Sequence, residues 1–140
     1  MNEPRVPPAP RLRLGSEVRE TTRLHAWIDG LLTADVLPPP LENAVRLCLE
    51  EAVINVIMHG YGKGRRGEID VQLWREPGEL RAIIVDSAPP FDPVTAPRPD
   101  AKANPSGGRG LRILRRFASG LAYERRDGTN RLAIRWTAPE

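Results

Sequence analysis

Cys48 is the only cysteine in the 140 residues of the chain, so an intrachain disulfide is impossible and the fold must be held by packing. Histidine is nearly as scarce, with 2 in all. His25 has no cysteine or carboxylate pair at ligand spacing, which argues against a metal centre built on it. Aromatic residues make up 5% of the sequence, and Trp27, Trp74 and Trp136 read as core or rim residues rather than as a stacking platform. No apolar run approaches the ~20 residues of a membrane span. The opening MNEPRVPPAP carries no apolar signal core, which argues against secretion by that route. The expectation is a cytoplasmic protein with no membrane contact. Two common nucleotide loops are also missing. There is no GxxxxGK followed by Ser or Thr, and no strand immediately precedes the glycines at 106–111, which argues against a Rossmann unit. No internal repeat is visible.

What is present fits one soluble domain. The apolar fraction is 40% and the charged fraction 28%, with a net charge of +3 and a pI near 9.6. The basic balance comes from dispersed arginine. Arg109, Arg112, Arg115 and Arg116 have no interleaved aromatics, so direct nucleic-acid binding is not expected. Proline marks the boundaries: it reads residues 1–10 as a flexible tail and about 87–107 as an aperiodic lid, leaving 11–137 as the domain. Arg11 to Leu14 alternate as a short strand. Ser16 can cap a helix from about Glu17, carried by Val18, Thr21, Leu24, Ile28, Leu31 and Leu32 at helical spacing. Pro38-Pro39-Pro40 stop it, and Leu41 to Met58 form a longer helix. Ile69, Val71 and Leu73 alternate with polar residues as a half-buried strand, and Leu80 to Val85 suit a central one. Pro77-Gly78 joins these two strands. Gly108 to Ser119 read as a third helix. Leu121 to Arg126 and Arg131 to Trp136 close a hairpin around Asp127-Gly128. The class is α+β: a two-layer sandwich with a mixed sheet and three helices on one face.

Four constellations carry chemistry. Glu51, Asn55 and His59 recur at i, i+4 and i+8 within the apolar helix EEAVINVIMHGY, near one face and about one turn apart. A carboxylate and an amide in such a run are costly without partners, and Asn is a poor helix former; the bland alternative is two surface residues beside a buried stripe. Asp86 ends the strand Ala82-Ile83-Ile84-Val85, where it can line a pocket or simply cap a turn. Ser106-Gly107-Gly108-Arg109-Gly110-Leu111 opens the third helix, where backbone N–H groups can meet an anion and Arg109 can add a phosphate contact; glycine-rich caps are also common without any ligand. Gly128-Thr129 in the last hairpin needs no more than a turn to explain it.

Together, in this order and spacing, the four resemble the Bergerat-type (GHKL, histidine-kinase-like) ATP-binding fold over about residues 10–137. The likeness is closest to the small bacterial anti-sigma factors that are serine-protein kinases, of which EEAVINVIMHGY, PPFDP, GGRGLRIL and DGTNRLAI are typical. The resemblance implies ATP and Mg²⁺ as cofactors, with Glu51 as general base on the attacking hydroxyl and Asn55 as the metal ligand. It implies that Asp86 hydrogen-bonds the adenine amino group and that Gly108 and Gly110, with Arg109 and Leu111 between and after them, wrap the phosphates. It implies that Thr129 supports the adenine end, and His59 is expected to pack near the nucleotide. Ala88 stands where the fold's Asp-x-Gly-x-Gly box has its first glycine. The implied partners are a sigma factor and a STAS-type anti-anti-sigma protein carrying the phosphorylated serine, with homodimerisation common in the family. A non-catalytic partner-binding module of the same fold stays open as an alternative.

Overall fold

The computed structural model describes residues 9–33, 37–62, 66–90 and 112–139. Most of the expected tail, most of the lid, and Gly108, Arg109, Gly110 and Leu111 lie outside the described residues. The chain runs β1 (Arg11–Gly15), a 3₁₀ turn (Val18–Glu20), α1 (Thr21–Leu32), α2 (Pro39–Asn55), a π-helical segment (Val56–Tyr61), β2 (Glu68–Glu76) and β3 (Glu79–Asp86). It continues through α3 (helical over 112–117), β4 (Gly120–Arg126) and β5 (Thr129–Thr137).

The five strands form one sheet in the order β1-β2-β3-β5-β4. Every neighbouring pair is antiparallel, so the sheet is not mixed as the element order suggested. The physical reason lies in the last hairpin. The crossover through α3 does bring β4 back parallel to β3, but β5 folds back from β4 and inserts between them, so the two parallel strands never pair. Both hairpins have glycine where the turn needs a positive φ: Gly78 at 75° after Pro77, and Gly128 at 78° after Asp127 at 50°. Positive φ at both central residues, as in Asp127-Gly128, is the type I′ geometry that matches strand twist.

One face of the sheet holds the core. Ile69, Val71 and Leu73 on β2, Leu80, Ala82 and Ile84 on β3, and Leu132, Ile134 and Trp136 on β5 are buried there. They meet Leu24 and Ile28 of α1, Val45, Cys48, Leu49, Ala52 and Val53 of α2, and Leu114 of α3. The opposite face keeps Ile83 and Val85 only half-buried, as expected of an antiparallel sheet covered on one side. Trp136 is fully buried and packs in this core, while Trp74 is half-buried and donates its indole N–H to Glu76 at 3.1 Å.

Two helix starts differ from the sequence expectation. The N-cap of the first helical turn is Glu17, with no side-chain cap bond, and α1 proper begins at Thr21. Ser16 Oγ instead accepts the Gly67 N–H at 3.1 Å, joining the start of the chain to β2. α2 begins at Pro39, with proline in the first helical positions, where the missing N–H costs nothing because that donor has no intrahelical acceptor. Among the described residues no helix is long and apolar enough to cross a membrane.

Candidate functional site

α2 supplies one wall of the site. Glu51 and Asn55 sit four residues apart on it and share a face. Glu51 is half-buried; Asn55 is 6% exposed. Beyond Asn55 the backbone changes register into the π-helical segment Val56–Tyr61. A π turn closes on i+5 rather than i+4, so Gly60 comes round toward Asn55's face. Of the expected three-residue stripe only Asn55 lines the cavity, joined there by Gly60; Glu51 and His59 are not among its lining residues. Gly62, at φ 67°, ends the segment and donates its N–H to the Ile57 carbonyl at 3.1 Å.

The sheet supplies the other wall. Asp86 closes β3 and is 6% exposed. It lines one cavity together with Ala52, Asn55, Val56, Gly60 and Asn130. Its Oδ1 accepts two bonds, from the Ala88 N–H at 2.9 Å and from Asn130 Nδ2 at 2.9 Å. No hydrogen bond from the described residues reaches Oδ2. Burial pushes the Asp86 carboxyl above its ordinary value, and the bonds from Asn130 and Ala88 and the nearby Arg125 charge oppose that only in part. Across the cavity the Asn55 amide makes no hydrogen bond among the described residues, and its Nδ2 is buried without a partner. Two unspent polar groups thus face a pocket whose other walls are mainly aliphatic, the usual composition of a small-molecule site. The cavity measures about 20 Å³, the room of one water.

Ala88 fits this site without strain. Among the described residues only Asp127 combines a side chain with a positive φ, so the position does not demand glycine here. The Ala88 methyl is buried and lies over Gly60, where an added β-carbon would come within 3.1 Å of it. The small residue at 60 makes room for the one at 88.

Asn130, to which the sequence reading gave no role, is the residue of this pair that contacts Asp86, and Thr129 closes the turn. Thr129 Oγ1 donates to the Arg126 carbonyl at 2.7 Å inside the turn. Asn130 is the residue that reaches Asp86, because alternation along β5 puts Asn130, Leu132, Ile134 and Trp136 on the buried face and Thr129 out of phase. Tyr61 is the second residue not singled out. Its buried hydroxyl donates to the Glu68 carbonyl at 2.7 Å and accepts the Ser87 N–H at 3.0 Å. It bolts the end of the π segment to the start of β2 and to the exit of β3. Burial raises its phenol pKa. The signals were readable in principle: the period-2 phase of β5 for Asn130, and for Tyr61 the Gly67 that leaves space for its ring, since an added β-carbon there would lie 2.2 Å from it.

Asn55 and Asp86 are cavity residues whose side-chain oxygens a hard dication could use. Magnesium prefers oxygen ligands, keeps several waters and completes its shell with phosphates. Of the Asn55 amide only the oxygen could serve such a partly hydrated ion, since the orphaned Nδ2 can only donate.

Comparison with known proteins gives four findings. The histidine kinase-like ATPase domain model matches residues 14–136. The serine/threonine-protein kinase BtrW of Bordetella bronchiseptica is 33% identical over 131 residues, covering 88% of this chain and 92% of that protein. The solved RsbU and RsbW domains of Rv1364c from Mycobacterium tuberculosis superpose with a TM-score of 0.65 at 18% identity over 94% of this chain. The histidine kinase domain of the Erythrobacter litoralis EL346 blue-light activated enzyme gives 0.56 at 16% identity over 86% of this chain. The chain spans 33% of the first of these structures and 60% of the second, and at such identities they speak to fold alone.

Proposed function

The chain belongs to the histidine kinase-like ATPase family, and from that membership we propose that it is an ATP-binding anti-sigma factor with serine-protein kinase activity toward a STAS-type anti-anti-sigma partner. One observation carries the nucleotide part. The buried Asp86 carboxylate and Asn55, whose Nδ2 is buried without a partner, line one mainly aliphatic cavity. The kinase part draws on the 33% identity to a protein named a serine/threonine-protein kinase. The sigma and anti-anti-sigma partners rest on the motif resemblance.

In this reading Asp86 Oδ2 accepts from the exocyclic amino group of the base, and the aliphatic walls take its faces. Asn55 holds Mg²⁺, which when bound supplies charge neutralisation to the phosphates. Glu51, one turn before Asn55, takes the proton from the serine hydroxyl. Phosphoryl transfer needs mostly positioning and charge stabilisation, with a base in reach of the attacking hydroxyl. The glycine-led segment 108–111 is assigned to the phosphates.

Isothermal titration with ADP and ATP, with and without Mg²⁺, tests the reading. Binding of either nucleotide is expected, and Glu51→Ala should keep ADP affinity while abolishing transfer to a serine partner. A chain that takes up no nucleotide contradicts it. The cavity's room for about one water favours a second reading, a partner-binding module with weak nucleotide affinity; robust phosphotransfer to a cognate partner rules that out.

A further inference from the structure

Asn130 is 5% exposed and stands at the centre of a polar network joining the exit of β3 to the last hairpin. Its Nδ2 donates to Asp86 Oδ1 at 2.9 Å and lies 3.2 Å from the Ala88 carbonyl oxygen and 3.1 Å from that of Pro89. Its Oδ1 accepts from the Tyr123 hydroxyl and from Arg125 Nη1, the latter at 3.2 Å. Arg125 Nη1 also donates to the Ala88 carbonyl at 2.7 Å.

The network leaves the amide one orientation. A guanidinium only donates, so the Asn130 atom facing Arg125 has to be oxygen. Its NH₂ must then face Asp86 and the two carbonyls. Asp86 Oδ1 in turn meets two N–H donors, from Asn130 and Ala88, and can act only as an acceptor. The carboxylate plane is thereby held, and the oxygen left to meet a ligand is Oδ2. A carboxylate oxygen that meets no donor from the described residues disfavours a ligand that offers another acceptor there.

We infer that Asn130 is the positioning residue that sets base selectivity at this site. By holding Asp86 Oδ1 it presents Oδ2 as a fixed acceptor that selects a 6-amino purine over a 6-oxo purine. The inference rests on the nucleotide-binding reading above. Without Asn130 only the Ala88 N–H holds Oδ1, the carboxylate is less restrained, and a 6-oxo base no longer faces so fixed an acceptor.

The test compares ADP with inosine diphosphate, which differs at the base edge, by titration calorimetry on the full chain. The native protein is expected to prefer ADP on the order of 10- to 100-fold, the size of one buried charged hydrogen bond. Asn130→Ala is expected to lower that ratio about fivefold or more, because ADP weakens while inosine diphosphate does not weaken equally. Arg125→Ala, at an exposed position, is expected to shift the ratio in the same direction by less, since it removes one of the donors to Asn130 Oδ1 and the bond to the Ala88 carbonyl while the Asn130–Asp86 bond remains. If Asn130→Ala fails to fold, Arg125→Ala decides alone. Equal weakening of both ligands, with the ratio unchanged, is what mere structural support would give and overturns the inference. A native protein that binds neither nucleotide refutes the nucleotide reading itself, and this inference with it.

Discussion

Replacing Asp86 by asparagine probes base recognition at a single atom. Oδ1 accepts from the Ala88 N–H and from Asn130 Nδ2, both at 2.9 Å. An amide oxygen can keep both bonds, which places an NH₂ where the carboxylate presented Oδ2. The base amino group then meets a donor instead of an acceptor. The lost charge-assisted bond is worth roughly 1.5–3 kcal/mol, or about 10- to 150-fold in Kd. The fold responds in the opposite sense. Burial raises the Asp86 carboxyl above its ordinary value of 3.8, so the folded state binds that proton more tightly than the unfolded one. The stability this group contributes is therefore fully present below 3.8 and is lost as pH rises through the raised folded value. At neutral pH the native protein carries the cost of a buried charge that Asp86→Asn removes. The variant should melt at or above the native midpoint at pH 7, with the difference closing as the pH falls toward the ordinary carboxyl value. Calorimetric titration with ADP, run beside thermal melts across that pH range, measures both effects. Native-like ADP affinity, or a midpoint depressed more at neutral than at acid pH, would refute the reasoning.

Two further perturbations follow from the packing. Gly67→Ala would set a β-carbon 2.2 Å from the Tyr61 ring and 2.5 Å from its hydroxyl oxygen; with that ring held by two hydrogen bonds, a loss of roughly 2–4 kcal/mol is expected in urea unfolding, and a loss below about 1 kcal/mol would show that Tyr61 moves freely. Burial pushes the Cys48 thiol up to about 11, so a thiol reagent at mildly alkaline pH should label the protein only as fast as it unfolds; immediate stoichiometric labelling of the native chain would mean that the α2 stripe is open.

Much of the fold was legible because it rests on local periodicity. The alternation of Ile69, Val71 and Leu73 marks a strand in any context, and Asp127-Gly128 and Pro77-Gly78 announce turns through backbone sterics. Sheet order was not legible. Whether β5 pairs outside β4 or between β3 and β4 is a choice between long-range contacts that no window of sequence contains. The site divides the same way. Glu51 and Asn55 stand out because polar residues in an apolar helical run are costly. Gly60 joins Asn55 at the cavity because the helix turns π at Val56–Tyr61, a register change that the amphipathic pattern does not encode.

By itself the sequence determined the element types, the α+β class and the polar residues that make a nucleotide reading possible, since each follows from side-chain chemistry acting over a few neighbours. Only the tertiary structure decided which of those residues meet. It chose Asn130 over Thr129 by the phase of one strand, brought Gly60 under Ala88, and made Tyr61 the bolt between helix and sheet. These outcomes depend on sub-ångström fit between segments far apart in the chain, and that fit exists only once the layers are packed.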